Sequence, residues 1–266
     1  MALLGQNLDR VVMILSTGRT GTTALAEYLN EGFSGVCAVH EPRPSWRLRI
    51  AAHKYMAGKL SREQAVQAYV GAREKLVRQL QQPVYVESNP FLVGFLDILG
   101  EVFCQPRIVH VVRDPRTMVR SALNFGVHRG LKRWSAEMVP YWVIRPEQME
   151  REPEQRWNEM TPLEIRAWIW GMKNAYLGQG AELYGENYLR VRFEDLFREG
   201  GAGLRELAAW IGLTEKPGMV DKLLEKKVNA SRPTGMPAWE AWNEADRQQL
   251  LRYCGKLMGE YGYLGK

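Results

Sequence analysis

The sequence predicts an α/β fold in a single domain, with three layers in which a central parallel β-sheet is flanked by helices. Three observations carry this expectation. Residues 11–15 (VVMIL) form a short, continuous apolar run bounded by turn residues, the pattern of an inner parallel strand covered on both faces. Residues 107–112 (RIVHVV) repeat the pattern, and Asp114-Pro115 behind them reads as a helix N-cap with proline at the first helical position. The chain of 266 residues, 45% of them hydrophobic, suits one such domain with insertions and can fill a sizeable core.

The first strand runs into STGRTGTT at residues 16–23, a turn holding two glycines, five hydroxyls and one guanidinium. Leu25, Ala26 and Leu29 then keep helical spacing, so the positive end of a helix faces the turn, where a phosphate is the usual occupant. The turn is P-loop-like but departs from a Walker A loop. Thr22 stands where that loop has its lysine, and the only cation, Arg19, comes earlier. Arg113, moreover, occupies the place of the carboxylate that would hold magnesium at the end of the 107–112 strand. A nucleotide held without a metal is implied.

The remaining elements follow in order. The first helix ends near residues 30–32, and residues 35–39 (GVCAV) read as the second strand. HEPRP at 40–44 is then a rigid, non-helical segment at a strand's C-terminal end, where open α/β sheets place ligands. Its imidazole and carboxylate, His40 and Glu41, are candidates for general base. Residues 45–82 read as two solvated surface helices, with Arg47 and Arg49 placed to touch an anionic acceptor. PVYVE at 83–87 is a third strand, with Ser88 and Asn89 at its exit as helix caps or site residues, and Glu87 as an alternative carboxylate at the same rim. Residues 127–160 carry aromatics (Trp134, Tyr141, Trp142, Trp157) with little periodicity, and form a lid or acceptor-binding insertion. A helix over 161–177 is capped by Thr161, Pro162 and Glu164, with Trp168 in the core and Trp170 unassigned. The fifth strand covers 188–192, and helical stretches at 204–211 and 219–226 precede a polar loop at 227–239 and the last helix.

Together STGRTGTT and VVRDPRTMVRSAL at 111–123 resemble the sulfotransferase family, whose donor is 3′-phosphoadenosine 5′-phosphosulfate (PAPS). The first resembles the family's 5′-phosphosulfate loop in its arginine-containing form. The second resembles its 3′-phosphate element, matching at Arg113 and Ser121. VRFEDL at 191–196 extends the likeness to a later core strand. The resemblance implies that Gly18, Arg19, Thr20, Gly21, Thr22 and Thr23 hold the 5′-phosphate, with Arg19 also catalytic, and that Arg113 and Ser121 hold the 3′-phosphate. It favours Glu41 over His40 as base, because arginine-loop relatives carry a glutamate after the second strand. From the loop that closes over PAPS in the family it carries over Lys227 and Arg232, although the Arg-Lys-Gly sequence of the cytosolic enzymes is missing here. Phe193 or Trp239 is expected to stack on the adenine.

The implied reaction moves a sulfuryl group from PAPS, with no metal, to a hydroxyl or less readily an amine of a small-molecule, carbohydrate or lipid acceptor. A P-loop-type kinase and a non-catalytic nucleotide-binding module are the alternatives. A net charge of +6 suits a polyanionic ligand, and the scatter of Lys and Arg along the chain argues against nucleic acid. Cys37, Cys104 and Cys254 are far apart and odd in number, pointing to thiols in a reducing compartment. With no apolar stretch of membrane-spanning length, a cytoplasmic protein is expected.

Overall fold

The computed structural model describes residues 2–125, 138–214, 218, 220–221 and 235–264. Five strands, β1 (Arg10–Ser16), β2 (Val36–His40), β3 (Val84–Ser88), β4 (Arg107–Val112) and β5 (Tyr188–Arg192), form one parallel sheet in the order β2-β3-β1-β4-β5. After β1 the chain builds β2 and β3 on one side of it, then crosses to β4 on the other. The winding therefore reverses at the C-terminal end of β1, the place where such sheets hold ligands. Register brings the strand ends level: Ser88 lies opposite both Ile14 and His40, and Ser16 opposite Val111.

The main helices are α1 (Thr22–Gly32), α2 (Ser45–Met56), α3 (Arg62–Arg78), α4 (Pro115–Asn124), α5 (Pro162–Gly178), α6 (Ala202–Ile211) and α7 (Glu244–Glu260). Because side chains alternate across a strand, Met13 and Leu15 pack on one face against Leu48, Tyr69 and Phe95, under α2, α3 and a 3₁₀ segment at Leu92–Ile98. Val12 and Ile14 pack on the other face against Leu25, Leu29, Leu204 and Ile211, from α1 and α6. These are the three layers the sequence predicts. A further apolar cluster joins α4, α5 and α7 around Met118, Trp170 and Leu250.

Two expectations about the α3 side are corrected. The helix is not solvated throughout: Ala65, Val66, Tyr69, Arg73 and Val77 form a buried stripe at helical spacing. Glu87 is not a rim carboxylate. It pairs with Met13 in the register, so it points into the same interior face, where it is fully buried. Arg73 grips it there through Nε at 2.8 Å and Nη2 at 2.6 Å, while Tyr69, Tyr85 and Asn89 donate to it at 3.1, 2.9 and 3.0 Å. Five donors on one carboxylate leave it no capacity to act on a ligand.

The phase of α5 also differs from expectation. Thr161 closes the foreseen capping box with Glu164, and the helix then turns Leu163, Ala167, Trp170 and Leu177 inward, so that Trp170 is fully buried and Trp168 only half-buried. Of the proposed insertion, residues 126–137 lie outside the described residues. The part that follows is anchored by Val143, Trp157 and Met160 against Ile165 and Ile169. The helix expected at 219–226 falls almost wholly outside the described residues. No helix among the described residues is long and apolar enough to cross a membrane.

Candidate active site

The turn after β1 is shaped by backbone conformations that favour glycine. Gly18, Arg19 and Gly21 lie at φ +85°, +58° and +69°. Gly21 is also the N-cap of α1, and a Cβ there would fall 2.4 Å from the Phe193 ring, so no side chain fits between loop and ring. Gly18 N–H donates to Ser16 Oγ at 3.1 Å and is engaged within the turn. Gly21, as the N-cap, has no side chain with which to cap α1, which begins with Thr22. Thr20 Oγ1 is buried with no hydrogen-bond partner among the described residues. An uncapped helix N-terminus beside an orphaned buried hydroxyl fits a bound anionic oxygen.

Arg113 and Ser121 come to this loop from the end of β4 and from α4. Arg19 Nε donates to Ser121 Oγ at 3.2 Å, and the Arg19 guanidinium lies over the Phe125 ring at 4.4 Å. Arg113 Nη1 donates to the Arg19 carbonyl at 2.7 Å, its Nε to Thr117 Oγ1 at 3.0 Å, and its guanidinium covers Phe193 at 4.6 Å. Trp170 Nε1 holds the Arg113 carbonyl at 2.9 Å. Burial lowers the pKa of both guanidiniums, yet an arginine stays charged near neutral pH, and two like charges side by side favour an anion between them. Asp114 caps α4 as expected: its Oδ1 accepts from Arg116 N–H at 2.9 Å, and its Oδ2 pairs with the Arg116 guanidinium at 2.5 Å.

The HEPRP turn brings the two base candidates to the same edge. Glu41 is half-exposed, sits at φ +46°, and donates its N–H to the Ser88 carbonyl at 2.9 Å. His40 Nδ1 lies 3.0 Å from Ser88 Oγ, which itself donates to the Thr22 carbonyl at 3.2 Å. With the Ser88 proton so used, Nδ1 carries hydrogen and Nε2 is left facing Glu41 Oε1 at 3.5 Å. Burial lowers the His40 pKa, against the pull of Glu41, so the ring is neutral near pH 7. Asn89 acts as a cap, accepting the Phe91 N–H at 3.1 Å.

A model of the sulfotransferase family matches residues 11–217, from the first residues of β1 past the end of α6. The chain belongs to the sulfotransferase family. Its fold matches solved sulfotransferases at low identity. The sulfotransferase domain from the curacin biosynthetic pathway aligns at a TM-score of 0.55 and 15% identity, over 95% of this chain and 98% of that one. The sulfotransferase from Alicyclobacillus acidocaldarius gives 0.54 and 14%, over 94% of each chain. Mouse sulfotransferase SULT7A1 complexed with PAP gives 0.52 and 14%, over 98% of this chain and 93% of that one. No curated protein matches the sequence. The enzyme class read from STGRTGTT and VVRDPRTMVRSAL is therefore correct.

In this sulfotransferase Gly18, Arg19, Thr20, Gly21, Thr22, Thr23, Arg113 and Ser121 share one rim with His40 and Glu41. Lys227 and Arg232 lie outside the described residues. Trp239 packs on Trp242 at 5.0 Å, with the Arg247 guanidinium over its ring at 5.4 Å. Of the two arginines expected near the acceptor, Arg47 is exposed over Trp46, while Arg49 turns inward. Three inward-turned groups escaped the sequence reading: His53, Arg166 and Lys173. The available signal was phase. Arg166 and Lys173 stand about one turn to either side of the buried Trp170 on the same helix.

Proposed function

We propose that this sulfotransferase moves the sulfuryl group of PAPS to a hydroxyl, or second an amine, of a small-molecule, carbohydrate or lipid acceptor in a cytoplasmic setting. The observation that carries the reading is the contact of Arg19 with Ser121 and of Arg113 with the Arg19 carbonyl, two cations and a hydroxyl gathered at an uncapped helix N-terminus. The backbone from Arg19 to Thr23, with the Thr20, Thr22 and Thr23 hydroxyls, holds the 5′-phosphate. Arg113 and Ser121 hold the 3′-phosphate. The donor supplies an activated sulfur–oxygen bond. The acceptor oxygen forms the new bond to sulfur, the bond from sulfur to the bridging phosphate oxygen breaks, and that electron pair leaves with adenosine 3′,5′-bisphosphate (PAP). Arg19 stabilises the charge that develops on the leaving oxygen.

Glu41 accepts the acceptor's proton, and His40 Nε2, facing it at 3.5 Å, offers a second resting place for that proton. The segment from 127 to 160 is the lid or acceptor-binding insertion in this reading. The deciding experiment is thermal stabilisation by PAP against adenosine 5′-monophosphate and Mg-ATP, the first two in EDTA. PAP at a hundred times its Kd is expected to contribute about 2.7 kcal/mol, and Arg113→Ala to abolish its advantage over the monophosphate. Equal stabilisation by the two adenosine nucleotides, or a preference for Mg-ATP, overturns the donor assignment.

A further inference from the structure

Behind Glu41, α2 and α5 both send a basic side chain to the Pro90–Phe91 segment. On α2, Arg49 and His53 are one turn apart, and on α5, Arg166 and Lys173 are two turns apart, each pair on a single helix face. The Arg49 guanidinium is clamped between two rings, 4.5 Å from the Phe91 centroid and 4.4 Å from that of Trp142, and its Nε is buried without a hydrogen-bond partner among the described residues. Lys173 is buried with Nζ donating to the Pro90 carbonyl at 2.9 Å, which leaves two of its three donors for other partners. His53 Nδ1 donates to the Tyr141 carbonyl at 2.8 Å, and its buried Nε2 has no partner among the described residues.

The three cations are close enough to act on one another's charge. Burial, with Lys173 and Arg49 adding to it, lowers the His53 pKa to about 3, so the ring is neutral. Burial lowers the pKa of Arg49 to about 10, burial and Arg49 lower that of Arg166 to about 10, and burial with Arg49 and Arg166 lowers that of Lys173 to about 7, while Glu41 opposes the fall at Arg49 and Lys173. Glu41 is the one carboxylate among the described residues that acts on both Arg49 and Lys173, and like charges gathered in the interior favour a further anion. The cluster stands beside the proposed base, away from the two arginines of the phosphate loop.

We propose that Arg49, Arg166 and Lys173 form a receiving site for an anionic oxygen group, a carboxylate or a phosphate or sulfate ester, carried by the sulfuryl acceptor. This rests on the sulfotransferase reading of the rim and narrows its acceptors to anionic alcohols or phenols. Arg49, whose guanidinium lies over two rings, brings a planar fork of donors suited to bidentate recognition of such a group. Lys173 adds a second donor from α5. Burial brings the Lys173 pKa to about 7, so near and above that pH an arriving anion restores its charge and binding takes up a proton. Facing Lys173 are Arg49 and His53 from α2, Arg166 from its own helix and Glu41 from the turn after β2.

The test loads the protein with saturating PAP, which occupies the donor site, and measures thermal stabilisation by paired probes: 4-hydroxybenzoate against 4-hydroxybenzamide, and phenyl phosphate against phenol. The charged member of at least one pair is expected to bind roughly tenfold more tightly than its neutral partner, and the pair that responds tells carboxylate from phosphate. Arg166→Gln and, independently, Arg49→Gln are expected to erase the preference while PAP still binds. In the wild type the anion's affinity falls as pH rises through about 7, and in Lys173→Met it is lower and flat with pH. Equal binding of charged and neutral probes to PAP-loaded protein overturns the proposal, as does a preference that survives both arginine substitutions. Failure of PAP itself to stabilise the wild type overturns the donor reading instead.

Discussion

In the proposed mechanism Arg19 is the residue on which the chemistry turns. It follows Gly18 in a left-handed conformation that costs a non-glycine residue about 1 kcal/mol or more, and its side chain reaches Ser121 across the loop. Arg19→Ala is expected to lower turnover by roughly two to three orders of magnitude, as for other donors aimed at developing charge, with PAP affinity reduced far less. Steady-state kinetics beside PAP titration separates the two effects, and near-normal turnover would remove Arg19 from the mechanism. That these residues gather was legible in the sequence because the pattern is local: a glycine turn between an apolar strand and a helix, and Arg113 at a strand's end eight residues before Ser121 on the helix that follows. Glu87 misled for the opposite reason. Its neighbours on the chain give it a rim position, and only the distant Arg73 shows that it is an interior charge.

At the scale of elements, the Arg73–Glu87 pair ties α3 to β3 and, through Asn89, fixes the turn that leads to Phe91. Breaking a buried pair from one side leaves a charge without compensation, at a cost of about 3–5 kcal/mol, whereas replacing both members with apolar groups of similar size costs much less. Glu87→Gln is therefore expected to be strongly destabilising and the double change Arg73→Met, Glu87→Leu substantially milder. Urea unfolding of the three proteins checks this, and a double variant less stable than Glu87→Gln would show that the pair itself stabilises the fold. The strands were readable from their apolar runs and the helix starts from their caps. The inward faces of α3 and α5 were not, since both bury charged side chains that a periodicity count assigns to solvent.

For the molecule as a whole, acid sensitivity follows from two interior histidines. His110 is fully buried between Tyr188 Oη at 2.7 Å and Asn174 Oδ1 at 2.8 Å, and burial lowers its pKa to about 4, while that of His53 falls to about 3. Unfolded histidine titrates near 6.5, so below that pH the unfolded chain binds protons that the folded chain refuses, and stability falls as pH falls. Each contributes at most about 1.4 kcal/mol per pH unit until its folded pKa is reached. Unfolding followed between pH 7 and 5 is expected to show this loss, with a shallower slope in His110→Gln; an unchanged slope would exclude His110 as a source. The layered sheet was legible from alternating strands and helices, whereas the meeting of Arg49 and Lys173 at the Pro90–Phe91 segment depends on packing no local pattern encodes. That meeting also has a mechanical consequence. Trp170 holds the Arg113 carbonyl and Lys173, three residues on, holds that of Pro90, so α5 works as a tie-rod whose length is metered by helical rise, about 1.5 Å per residue. The spacing between the Arg113 and Pro90 carbonyls is thus set by a rigid rod, and in the proposed reading that rod gauges how far the acceptor's anionic group stands from the donor.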